Sequence, residues 1–189
     1  MIQTRQVDVT LAHGHAQSFS GLLQRGVSVV ASTGCSLWTF LTGELGIPPD
    51  YVKERITTIF LDGDVVDSLE RSVVRDGSLL ALSAAMPGLV GATMRRGGYY
   101  AAMRAAITHG LESPPPSGAG AVGTVRVKLF NLLIPELGPV LLARGILLEQ
   151  REVAEALPRG LVAMGDLPAE ARVLLRVRFA EEQRGPARA

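Results

Sequence analysis

Two stretches decide how this chain folds: Arg55-Ile-Thr-Thr-Ile-Phe-Leu-Asp-Gly-Asp-Val-Val66 and, shortly after, Val74-Arg-Asp-Gly-Ser-Leu-Leu-Ala-Leu82. In the first, β-branched and aromatic residues lead into Asp62-Gly63 and out to Val65-Val66. Asp-Gly between such runs marks a tight hairpin, because a type I′ turn needs positive φ at both central residues. In the second, Asp76-Gly77 opens onto Leu79 to Leu82, a short wholly apolar run of the kind that sits in the middle of a sheet.

A helix precedes these strands. Ser36 can cap it, and Leu37, Phe40, Leu41 and Leu45 fall on one stripe. Gly43 weakens it by ~1 kcal/mol relative to Ala. Gly46 suits a left-handed cap, and Pro48-Pro49 stop the helix. Nearer the start, Val7, Val9 and Leu11 alternate with polar residues, and Val27, Val29 and Ala31 repeat the pattern. These read as a hairpin with a long connection from His13 to Gly26. The order β-β-α-β-β-β then packs one helix on a mixed sheet of four or five strands.

Within that order of elements, Ser32 to Leu82 resembles the β-grasp sulfur carriers, the ubiquitin-like group that includes the molybdopterin synthase small subunit and the thiamine sulfur carrier. The likeness lies in Gly34-Cys-Ser-Leu-Trp-Thr-Phe-Leu41, Leu45-Gly-Ile-Pro-Pro49, Ile59-Phe-Leu-Asp-Gly-Asp-Val65 and Val74 to Leu82. It implies an α+β protein with an N-terminal ubiquitin-like β-grasp domain over residues 1–86. A helical connector (87–112), a Pro/Gly linker (113–123) and a smaller α+β unit (124–180) follow.

In the resembled family a C-terminal Gly-Gly is adenylated and converted to a thiocarboxylate, so the implied carrier terminus is Gly97-Gly98 and the implied partner an adenylating enzyme. Here Tyr99-Tyr100 and the rest of the chain follow Gly98, and an internal carbonyl cannot be adenylated. The expectation is therefore a non-catalytic binding module acting through a protein partner or self-association. The alternative is a carrier activated at Gly98 after proteolysis. A further reading of the same stretch is a helix from Pro87 to about His109, kinked at Gly97-Gly98.

Other residues bear on chemistry. His13 and His15 share one side of an extended segment, but only His109 remains as a third histidine. Cys35 precedes the helix cap, where a thiol is activated if exposed and inert if buried. Asp62, Asp64 and Asp67 lack calcium-loop spacing and read as a solvated turn. Gly118-Ala-Gly-Ala-Val-Gly123 spells a dinucleotide motif but follows prolines rather than a strand. No catalytic residue, metal site or cofactor is expected. Trp38, adjacent to the core stripe, is either a contact anchor for a partner or packed within the chain.

The second half reads as Thr124-Val-Arg-Val-Lys-Leu-Phe130, an edge or half-buried strand, a broken helix to Gly145, a strand at Ile146–Leu148, a helical turn at Glu152–Leu157, and a last strand, Arg172–Phe179. Its size is marginal, so it should dock on the first half or on another copy. The arginines of the last strand fit a solvated face, an anion site or protection against edge pairing.

The formal net charge is +1, from 19 basic and 18 acidic residues, which speaks against nucleic acid or a membrane surface as the partner. The uncharged run from Ser78 to Met94 is short of the ~20 residues a spanning helix needs. One cysteine excludes an internal disulfide and suits the reducing cytoplasm.

Overall fold

The computed structural model describes residues 4–84, 88–99, 120–158, 161, 168 and 170–180. Its strands are β1 (Arg5–Ala12), β2 (Val27–Ser32), β3 (Cys35–Ser36), β4 (Thr58–Leu61), β5 (Asp64–Val65), β6 (Val73–Val74), β7 (Leu79–Ser83), β8 (Val122–Phe130), β9 (Ile146–Glu149) and β10 (Arg172–Ala180). Helix α1 (Ser20–Arg25) is entered through a 3-10 turn at His13–Phe19, and α2 (Leu37–Thr39) continues as a π turn over Phe40–Glu44. The remaining helices are α3 (Pro49–Glu54), α4 (Gly88–Met94), α5 (Leu133–Arg144) and α6 (Gln150–Ala156).

Local signals in the middle of the chain are obeyed. Asp62 and Gly63 have φ of 54° and 98°, and the hairpin pairs Phe60 with Val65 and Leu61 with Asp64. The Asp62 carboxylate accepts from the Leu79 amide at 2.7 Å and from the Ser78 hydroxyl at 3.0 Å, joining both turns. Ser36 Oγ accepts from the Thr39 amide at 3.1 Å and so caps α2. Leu37, Phe40, Leu41 and Leu45 share one core with Ile59, Leu80 and Leu82.

Eight strands form one mixed sheet in the order β1-β10-β9-β2-β8-β7-β4-β5, while β3 and β6 make a separate two-stranded ribbon. The protein is α+β, and its main sheet is wider than the four or five strands expected. The expected hairpin between β1 and β2 does not form. Instead β1 pairs in parallel with β10, Val7 beside Leu175, and β2 pairs with β8 and β9. The glycines of the connection suggest a loop, but Phe19, Leu22 and Leu23 are buried on it. It folds into a helical crossover that carries the chain over the sheet.

Thr124–Phe130 is the half-buried strand of the two alternatives and not an edge. β8 lies inside the sheet, antiparallel to β2 and parallel to β7, with Leu80 beside Val127. Its Val125, Val127 and Leu129 are fully buried. The linker range expected up to residue 123 overlaps β8, to which Val122 and Gly123 belong; residues 113–119 lie outside the described residues. The second half thus finds its cover in the first by sharing the sheet. The helix expected to be broken is continuous over Leu133–Arg144, with Pro135 in its first turn and Pro139 inside it.

Two crossovers are built alike. Val7-Asp-Val-Thr-Leu11 in β1 matches Val125-Arg-Val-Lys-Leu129 in β8. Leu22-Leu-Gln-Arg-Gly-Val27, ending α1, matches Leu141-Leu-Ala-Arg-Gly-Ile146, ending α5. Gly26 and Gly145, with φ of 102° and 114°, turn each helix into the next strand. Above Gly26 lies the side chain of Arg126, which donates to the Arg25 carbonyl at 3.2 Å. Above Gly145 lies Arg176, donating to the Arg144 carbonyl at 3.3 Å.

Candidate functional site

Strand alternation sorts side chains to two faces. One face of the sheet buries Val7, Val29, Val125, Leu80 and Ile59, with Val173, Leu175 and Val177 of β10, in the core shared with α1, α2 and α5. The opposite face carries Arg172, Leu174, Arg176 and Arg178 of β10, Leu147 and Glu149 of β9, and Ser28, Val30 and Ser32 of β2. It continues through Thr124, Arg126, Lys128 and Phe130 of β8 to Leu79 and Ala81 of β7, and all of these side chains are exposed or half-buried. At the β4 end the face closes, since Thr58 and Val65 are buried.

An apolar cleft of about 440 Å³ opens on that face, lined by Phe60, Leu79, Ala81, Ser83, Lys128 and Phe130, with Asn131 at its rim. Asn131, at φ 54°, donates to Ser83 Oγ at 3.2 Å and holds the rim in place. Phe130 is 37% exposed, a large aromatic surface to leave in water. Beside the cleft, across β8, lies a polar depression of about 500 Å³ that includes Ser28, Thr124, Arg126, Glu149, Arg151 and Arg172.

The residues expected to act from sequence fall elsewhere. Trp38 is half-buried against the core, with the Lys53 ammonium 5.4 Å from its ring centroid. Cys35 is half-buried, and burial pushes its thiol above the ordinary range, with the Glu44 charge adding to the effect. His13 stands edge-on to Phe179, 6.1 Å between ring centroids. No group of three metal-ligating side chains occurs among the described residues, and His109 lies outside them. The Asp62 carboxylate is engaged with the Leu79 amide and the Ser78 hydroxyl.

Gly97 and Gly98 follow a pinned residue. Arg96 donates its amide to the Thr57 carbonyl at 2.8 Å and its guanidinium to the carbonyls of Val52 and Ile56 at 2.9 and 3.2 Å. Of the helix expected from Pro87 to about His109, α4 covers Gly88–Met94, and the chain turns left-handed at Gly97, φ 62°, where the kink is expected; residues 100–119 lie outside the described residues. Sequence reading misses Phe60, Lys128 and Phe130 as surface residues. The available signal is two phenylalanines at positions that alternate with the buried ones.

Comparison with protein-family models, curated proteins and solved structures finds no match. Among the described residues no helix is long and apolar enough to cross a membrane.

Proposed function

We propose that this protein is a non-catalytic, ubiquitin-like binding module, a divergent relative of the molybdopterin and thiamine sulfur carriers, that holds a protein partner on the open face of its sheet. The observation that carries the reading is the cleft between Phe60, Leu79, Ala81 and Phe130, an apolar surface outside the core. Kinship draws support from the strand run β2-β8-β7-β4-β5 with its parallel β8–β7 pair, together with α2 packed into the core beside it. One departure is that the strand beside β7 follows Gly98 in the chain instead of opening it.

That departure favours a module over a processed carrier. A chain ending at Gly98 lacks β8, and with it the buried Val125, Val127 and Leu129. Self-association has less to support it, since the second half already shares the sheet of the first. The test places a photo-crosslinking side chain at Ala81, or at the exposed Gln24 of α1 as a control, in the full chain in its native cells. A discrete protein adduct from position 81 alone, on a chain of intact mass, is expected. Equal labelling from both positions, or a species ending at Gly98 with sulfur replacing a terminal oxygen, overturns the reading.

A further inference from the structure

We infer, resting on the binding-module reading above, that the partner presents an acidic segment carrying one bulky apolar anchor. The chain as a whole is close to neutral at +1, yet its open face carries five cations. Arg126 and Lys128 stand there on β8, and Arg172, Arg176 and Arg178 on β10. The carboxylates at open-face strand positions of β1 and β9 are already matched. Asp8 lies 4.0 Å from Arg176, and Glu149 lies 2.7 Å from Arg151. Glu152, in the polar depression, accepts from the Glu149 amide at 2.9 Å. Arg126, Lys128, Arg172 and Arg178 form no ion pair with a carboxylate among the described residues.

The two depressions give this charge a direction. Lys128 lines the apolar cleft, and Arg126, two residues earlier on the same strand face, lines the polar one together with Arg172. From β8 to β10 the sheet order crosses β2 and β9, three spacings of ~4.8 Å. About five extended residues cover that span at ~3.3 Å each. A side chain such as Phe or Leu fills the cleft, and Asp or Glu residues on one side of it meet Lys128, Arg126 and Arg172. A polynucleotide fits less well. It carries charge on both sides of any base, and beyond Phe60 it meets the Asp62–Asp64 turn.

The test selects short random peptides on the full-length protein and measures the enriched ones by fluorescence anisotropy. Enriched peptides should carry Asp or Glu beside an aromatic residue or Leu. They should bind Lys128→Glu and Arg126→Glu about tenfold more weakly, bind Lys53→Glu on α3 unchanged, and weaken with salt. Circular dichroism verifies that each variant is folded. Neutral or basic peptides, or acidic ones indifferent to both reversals, overturn the inference. If Ala81→Arg abolishes binding while the reversals do not, the partner's acidity fails and the module stands. If Ala81→Arg changes nothing, the module reading fails with it. No enrichment, or tight binding of a thymidine oligonucleotide that Lys128→Glu removes, also overturns it.

Discussion

Arg144 Nε donates to the carbonyl oxygen of Glu44 at 2.6 Å, tying the last turn of α5 to the end of the π turn after α2. Its Nη1 donates to the Val30 carbonyl at 2.8 Å, and its Nη2 lies 3.5 Å from the Glu44 carboxylate. That carboxylate also accepts from the Ser32 amide at 3.0 Å. One half-buried guanidinium therefore joins a helix of the second half to a strand and a turn of the first. Arg144→Ala should destabilise the chain by roughly 2 kcal/mol, the range for hydrogen bonds to a charged group. Arg144→Lys should recover only part of this, because an ammonium cannot reproduce the planar fork. Urea unfolding checks both.

The other end of α5 is fastened by Glu136, which accepts from Arg55 Nε at 3.0 Å and from the Tyr51 hydroxyl. The Arg55 hydrogen bond, then the Tyr51 one, holds the Glu136 carboxyl down at about 2. Its folded value lies below its unfolded one, so the stabilisation is present above the ordinary carboxylate range and lost as pH falls through about 2. Wild-type stability should drop between those limits, and Glu136→Gln should flatten that part of the curve. Arg55 is 45% exposed, so the contribution is small and shrinks with salt. Chemical denaturation across the acid range, at low and high ionic strength, measures it.

What is legible in the sequence is local. Asp62-Gly63 reads correctly because positive φ at two successive residues is a requirement of the turn itself. Ser36 and the stripe from Leu37 to Leu45 are likewise set within one helix. Strand order is not legible, because β1 and β10 meet by burying Val7 and Leu175 together, a contact between the two ends of the chain. The paired Leu-Leu-x-Arg-Gly segments are in plain view but follow dissimilar connections, one rich in glycine and one interrupted by proline. The open face is hidden for another reason. Alternation marks Phe60 and Phe130 as facing away from the core, but large apolar residues at such positions read as more core.

Placement of β8 between β2 and β7 makes a prediction about cutting the chain. A specific protease site built in place of residues 113–117, once cut, should leave two pieces that elute together, held by the pairing of β8 on both its edges. Denaturant should be needed to part them. Residues 1–98 expressed alone should fail to give a cooperative unfolding transition, because two strand edges and the cover of Val29 and Leu80 are lost. A stable, monomeric 1–98 fragment would show that β8 is dispensable and would restore the carrier as the better reading.

Gly26 and Gly145 carry the last expectation, because each combines a backbone demand with a steric one. At φ of 102° and 114° an L side chain is strained whatever the space around it. At Gly26 a Cβ would also come within 2.9 Å of Arg126 Nε and Lys128 Cγ, and at Gly145 within 3.1 Å of Arg176 Cγ. Gly26→Ala and Gly145→Ala should each cost roughly 1–3 kcal/mol in thermal or urea unfolding. The two contributions separate by a second substitution. Arg126→Ala in the Gly26→Ala background removes one neighbour and should return part of the loss, while the backbone strain persists. Full recovery would mean that φ at position 26 relaxes freely, and that the matched glycines serve the packing of the arginine stems alone.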